Sequence, residues 1–589
     1  MTALPKLRLS ASPVPLRPAG AARPALFFPL LLLGFGLGAC GPESGSLPDL
    51  PAVVNLPPEA SVEAALATLS EEQLVAHVQV LASDEFGGRG PSSPGEERTI
   101  QYMTEQFGSL GLEPGGPDGR WTQAVPLVSI TADPEMSMTI AGNGYADTFR
   151  YGPDFIAWTT RVVEETELDA SELVFVGYGT VAPEYGWNDY EGVEVGGKTV
   201  VMLVNDPGYA TQNPDLFNGD AMTYYGRWTY KYEEAARQGA AGVLLIHEAE
   251  PASYGWATVE NSWSGPQFDL VAADDNMSRV QVESWISLEM AREIFQAAGL
   301  DFEALKEEAA TREFQAVPMG GLTASTSIRN TVERSTSHNF LARIPGTTRP
   351  DEVVIYMGHW DHFGTDPSLE GDQIFNGAVD NASGIAALME LAEAFMTLEP
   401  GPERTVVFMG TTAEEQGLLG SGYYAENPVY PLDRTVGAIN IDALNIHGPM
   451  NDFVIVGYGN SEMDDYAVRA ALLQDREVVP NPNPAAGSFY RSDHFPLAKK
   501  GVPALYGHAG RNHRVHGEEW TRERADAWTA EHYHQPSDEY DPEYWDLEGA
   551  MDDLRLWFHV GLQLAYSDDF PEWNEGTEFK AVRDASMGR

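Results

Sequence analysis

Hydrophobic and polar positions change rhythm several times along this chain, and each change marks a boundary. Between residues 61 and about 111 apolar residues recur at helical spacing, which predicts two helices around the glycine-rich break 82–97. Glu96 and Glu97 follow that break where carboxylates favour a helix start. Between about 150 and 321 the texture becomes short apolar runs and aromatic loops. Strands are expected at 172–179 and 197–208, and a helix running into a buried strand over 231–246. From about 322 to 566 strand-length runs at 353–357, 405–409, 436–441, 453–456 and 503–506 alternate with helical patterns. Ser383 is placed to cap a helix with Ile385, Leu388, Leu391, Phe395 and Leu398 near one face. Such alternation predicts an α/β domain, a mostly parallel mixed sheet flanked by helices.

The N-terminus reads differently. Lys6, Arg8, Arg17 and Arg23 precede the apolar run 25–37, the pattern of a signal peptide, too short and too interrupted by Gly and Pro for a permanent membrane span. It closes in Leu37-Gly-Ala-Cys40, which resembles the bacterial lipobox, and Cys40 is the only cysteine in 589 residues. Lipidation of Cys40 is therefore expected, and the mature chain then has no disulfide available. The expected organisation is a lipoprotein signal peptide over 1–39, a flexible tether over 40–60, one domain built from 61–149 and 322–566, an insertion over 150–321 and a polar tail over 567–589. Gly41 is not the aspartate associated with inner-membrane retention in Gram-negative lipoproteins. The expectation is an exported protein anchored to the membrane by lipid, on the periplasmic side of the outer membrane if the source has one.

Charge removes one class of partner. Lys and Arg number 36 against 88 Asp and Glu, a formal net charge of -52. Nucleic acid is excluded as a partner, because phosphate binding needs a basic footprint.

The candidate chemistry follows the strands of the 322–566 segment, where ligands of open α/β sheets collect. His359 and Asp361 stand in Gly-His-Trp-Asp, Asp380 in Val-Asp-Asn-Ala-Ser-Gly, Glu414 and Glu415 in Thr-Ala-Glu-Glu-Gln-Gly, and Asp442 in Asn-Ile-Asp. His534, in Tyr-His-Gln-Pro-Ser-Asp, lies much further on. Any one of these alone reads as a solvated loop residue. Together, nitrogen and oxygen donors from five loops, with no thiolate, suit a hydrolytic metal site holding two ions.

As an ordered set these motifs resemble the two-zinc aminopeptidase family, peptidase family M28, which includes bacterial leucyl aminopeptidases and glutamate carboxypeptidases. The resemblance spans the proposed catalytic domain and reaches into 81–111. It implies a zinc exopeptidase-like fold with two zinc ions per active site. Asp380 would bridge them, His359 and Asp442 would complete one site, and Glu415 and His534 the other. Asp361 would orient the His359 imidazole, and Glu414 would be the general base. The block 150–321 resembles the protease-associated domain, a β-rich module that borders the substrate entrance in some secreted peptidases.

Segment 489–503 also matches, and offers Tyr490 or His494 as donors to an oxyanion. His508, His513, His516 and His532 are expected at the surface or rim. Peptide substrates and the membrane, through the lipid anchor, are the expected partners. An aminopeptidase is favoured, because an acidic chain suits a cationic amine, while Arg491 keeps a glutamate carboxypeptidase-like peptidase as the alternative. A single-zinc acyltransferase of the glutaminyl cyclase type shares this fold, but the presence of both His359 and Asp442 argues against it. A receptor-like binding protein on an inactive peptidase frame would have lost ligands, and none is missing.

Overall fold

The run 353–357 shows why a parallel sheet forms here. In the computed structural model, which describes residues 56–589, Val353, Ile355 and Met357 enter one core with Val407, Met409, Tyr424 and Leu497. Val354 and Tyr356 enter another, with Phe395, Phe408 and Phe558. A strand buried on both faces has no polar alternation to keep, so it reads as a continuous apolar run.

The strands of this sheet are, in chain order, β1 (Thr122–Ala132), β2 (Val317–Ile344), β3 (Arg349–His359), β4 (Arg404–Thr411), β5 (Thr435–Asn440), β6 (Asp452–Val456), β7 (Glu477–Pro480) and β8 (Ala504–Ala509). They lie side by side as β1-β2-β4-β3-β5-β8-β6-β7. The centre, β4-β3-β5-β8, is parallel. β2 joins β4 antiparallel and β6 joins β8 antiparallel, so the sheet is mixed as expected.

Helices cover both faces. The N-terminal pattern resolves into three helices rather than two: α1 (Glu59–Leu66), α2 (Glu71–Leu81) and α3 (Pro94–Ser109). Ser70 starts α2 anew by accepting from the Gln73 amide at 3.3 Å, which breaks what periodicity alone reads as one helix. α2 packs through Leu74, Val78 and Leu81 on the cluster that holds α4 (Ser383–Thr397) and α5 (Glu548–Tyr566). Ser383 is not the cap of α4. It already has helical angles, and its hydroxyl donates to the Val379 carbonyl (2.7 Å) and accepts from the Leu444 amide (3.0 Å).

β2 runs for 28 residues and belongs to two sheets. Residues 330–340 pair with β1, while 317–329 pair with strands Ser137–Gly142 and Glu165–Phe175 of a second sheet. That sheet continues through Thr199–Leu203, Gly242–Ile246 and Val282–Ile286 in parallel, then Phe155–Trp158 antiparallel. Helices Trp228–Arg237, Leu288–Ala298 and Phe302–Ala309 accompany it, so the block is more helical than a β-rich reading expects. By pairing it begins near residue 137. Pro266–Leu270, though inside the block, extends the first sheet along β1.

The segment expected as a polar tail is instead partly buried. Trp573 and Phe579 are buried, and Lys580–Met587 is helical. Cys40 and the proposed leader lie outside the described residues, as does the tether up to residue 55. Among the described residues no helix is long and apolar enough to cross a membrane.

Candidate active site

The C-terminal ends of β3, β4 and β5 deliver the first ligand candidates. His359 is the last residue of β3, Glu414 and Glu415 follow β4, and Asp442 follows β5. Asp380 sits in the turn Ala378–Ala382 that leads into α4. His534 arrives from a distant loop, and that loop is sewn to the Asp380 turn. The Asp538 carbonyl accepts from the Ala378 amide (3.0 Å), and the Asp538 carboxylate accepts from the amides of Val379 (3.0 Å) and Asp380 (3.1 Å).

These loops bring all five expected ligands together. Asp380 divides its two oxygens: Oδ1 is 3.2 Å from His359 Nε2, and Oδ2 is 3.3 Å from His534 Nε2. His359 Nε2 is also 3.4 Å from Asp442 Oδ1, and His534 Nε2 is 3.3 Å from Glu415 Oε2. Ligand atoms of His359, Asp380 and Glu415 lie within 4.8 Å of one another, as do those of His359, Glu414 and Asp442.

Charge is the outstanding feature of the cluster. Burial by itself would lower the His359 pKa, but Glu414, Asp380 and Asp442 hold it well above the ordinary value. Burial likewise opposes ionisation of Asp380, yet hydrogen bonds to His359 and His534 keep its pKa well below normal. Burial raises Glu414 and Glu415 well above the carboxylate range, and neighbouring acids, Asp380 among them, add to it. Crowded buried carboxylates beside two imidazoles, with no thiolate, are a donor set that fits zinc.

Asp361 is close to its expected role but acts through a different atom. His359 Nδ1 is 3.1 Å from the Asp361 main-chain carbonyl and 3.9 Å from its carboxylate. That carboxylate accepts instead from the Glu414 amide at 3.2 Å.

Tyr490 and His494 differ from expectation. The Tyr490 hydroxyl donates to Glu578 (2.9 Å) in an aromatic cluster with Tyr224, Phe489 and Phe495. His494 is fully buried between Phe489 and Tyr506, and burial pushes its pKa down to about 3. Their segment reaches the site through Ser492, which donates to Asp442 (2.6 Å) and accepts from Asn440 (2.7 Å). His513 is buried rather than at the rim, its Nδ1 accepting from the amides of Val515 and His516.

Sequence reasoning missed several supporting residues. His362 donates from Nδ1 to Glu415 Oε1 (2.5 Å), and burial pushes its pKa to about 3, so the ring is neutral. Its signal was adjacency to Asp361. Asp538 was visible only as the last residue of the His534 motif. Tyr533 stacks on the His534 ring at 3.7 Å, and Phe363 meets the same ring edge-on at 4.7 Å. Both aromatic rings are partly exposed.

Comparison with known proteins finds several likenesses. Residues 339–558 match the model of peptidase family M28. Aminopeptidase NAALADL1 of Mus musculus is 37% identical over 127 residues, covering 21% of this chain and 16% of that protein. A probable zinc metalloprotease of Pyricularia oryzae is 35% identical over 134 residues, covering 22% of this chain and 24% of its own. The matched stretches thus span a quarter or less of those relatives. Among solved structures, an aminopeptidase from Aneurinibacillus sp. strain AM-1 aligns over 86% of this chain and 97% of its own, with 19% identity and a TM-score of 0.47. Every candidate ligand from His359 to His534 falls inside residues 339–558, the stretch that matches peptidase family M28.

Proposed function

We propose that this protein is a zinc-dependent exopeptidase, an aminopeptidase that uses two metal ions and a glutamate general base. One observation carries the reading: the two oxygens of Asp380 face two different histidines, each with a second carboxylate beside it. His359 and Asp442 would hold one ion, His534 and Glu415 the other, with Asp380 between them. Zinc bound there supplies acidified water and a polarised scissile carbonyl. Glu415 is engaged by His362 and His534 and suits metal holding. Glu414 is tethered through its main chain to Asp361, which leaves its side chain for accepting and returning a proton.

The second sheet, which we read as a protease-associated domain, docks beside the site. The Met222 amide donates to the Pro484 carbonyl (3.2 Å), and Tyr224 packs on Phe495. Export and lipid anchoring through Cys40 belong to the same proposal, with the enzyme on the periplasmic side of the outer membrane in a Gram-negative source.

A glutamate carboxypeptidase-like activity is the second reading, and one observation favours it. Arg227, on the docking loop, has its Nε buried without a hydrogen-bond partner, and it is close enough to Arg491 for the two charges to repel. Such a pair suits a substrate carboxylate.

The test is zinc content together with a substrate screen. Full-length protein should bind two equivalents, lose activity to a chelator and regain it with zinc. Peptides with free N-termini should be cleaved and their acetylated forms spared. Cleavage of acetylated peptides from the C-terminus selects the second reading, and a chain that takes up no zinc overturns both.

A further inference from the structure

Arg89 lies in the glycine-rich break between α2 and α3, far in sequence from every ligand candidate, and it is 1% exposed. All four of its side-chain hydrogen bonds go to main-chain carbonyls. Nε donates to Trp360 (2.9 Å), Nη1 to Leu81 (2.8 Å) and Asn376 (2.6 Å), and Nη2 to Gly377 (2.7 Å). Trp360 stands between His359 and Asp361, and Gly377 lies just before the Asp380 turn. One guanidinium thus ties together the two segments that carry His359 and Asp380.

The backbone is built to deliver it. Arg89 has φ 49°, and Gly87 and Gly88 before it also have positive φ. A side chain on Gly88 would start 2.2 Å from the Gly364 carbonyl oxygen, so only glycine lets the break close against the loop after β3. The Arg89 carbonyl in turn accepts from the His362 amide (3.4 Å).

Its charge matters as well as its reach. A buried guanidinium bonded only to neutral carbonyls needs compensation from elsewhere. The acids whose field reaches it are Asp538, Asp361, Asp380 and Glu415, all in the site or bonded to it. Lysine would not reproduce this, since three N–H groups on one nitrogen do not span carbonyls on separate segments.

We propose that Arg89 is a positioning residue: it clamps the 360–361 and 376–380 segments in the register that captures zinc, and it supplies a fixed positive charge to a cluster otherwise rich in carboxylates. This rests on the metal-site reading above, and the experiment separates the two.

Zinc affinity of the full chain is measured by chelator competition for wild type, Arg89→Lys and Arg89→Ala, alongside the melting temperature of each metal-free protein. Arg89→Lys keeps the charge and should fold, with zinc bound about tenfold more weakly; Arg89→Ala should lose about a hundredfold. Millimolar guanidinium, far below denaturing concentration, should restore part of the Arg89→Ala affinity. A purely structural role predicts a lower melting temperature with unchanged zinc affinity and no response to guanidinium, and that result overturns the proposal. Should Arg89→Ala fail to fold, Arg89→Lys decides alone, and wild-type affinity in it is equally fatal. Failure of the wild-type chain to bind zinc overturns the metal-site reading itself.

Discussion

Glu414 and Glu415 are neighbours with the same side chain, and the structure gives them different surroundings. Glu415 meets His362 through one oxygen and His534 through the other. Glu414 is held by its amide on Asp361. Glu414→Gln should therefore keep zinc while kcat falls by roughly 10² to 10⁴. Glu415→Gln should lower zinc stoichiometry, with partial recovery in excess metal, because an amide oxygen is a poorer ligand than a carboxylate. Metal content and kcat on both variants check this, and the opposite pattern reverses the roles. The candidate residues were legible at this scale because each directly ends or follows an apolar run, or stands in a distinctive motif. His362, Ser492 and Asp538 were not, because each gains its meaning from a contact with a residue tens of positions away or more.

α4 shows what element-scale pattern reveals and what it conceals. Its apolar spacing marked the helix, but the same helix carries Glu390, buried in the core against α2, where it accepts from the Ser70 amide at 2.7 Å. Burial raises the Glu390 pKa to about 7, with a contribution from Glu393. The folded state therefore holds this proton more tightly than the unfolded chain. The contribution to stability is fully present below about pH 4.5 and is lost as pH rises through 7. Glu390→Gln keeps an acceptor for Ser70 and does not titrate. Between pH 5 and pH 8 the stability difference should move towards the variant by on the order of 1–3 kcal/mol. Urea denaturation of both proteins at the two pH values measures it, and a pH-independent difference would exclude this role for Glu390.

At the scale of the whole molecule, the C-terminal segment acts as a clasp between the two sheets. Trp573 donates to the Gly501 carbonyl (2.9 Å), and Phe579 packs with Phe489 and Phe495. Glu578 accepts from both the Tyr224 amide of the inserted block (3.3 Å) and the Tyr490 hydroxyl (2.9 Å). Removing either large ring leaves a cavity where the two parts meet. Trp573→Ala or Phe579→Ala should cost about 3–5 kcal/mol in urea and expose the inserted block to protease before the catalytic domain. A loss under about 1 kcal/mol would show that the clasp contributes little.

Local pattern carried the sheet class, the strand positions and the candidate residues of the site, since strand burial on two faces and placement at strand ends both leave marks within a few residues. Three things were decided by tertiary structure alone. β2 serves two sheets because its halves meet different partners, and nothing in its own 28 residues states which. The tail looks polar by composition, yet Trp573 and Phe579 find a hydrophobic cluster built from both parts of the chain. Arg89 reads as loop punctuation until the fold sets four carbonyls around it. In each case the energy comes from contacts between residues far apart in the chain, and periodicity has no access to those.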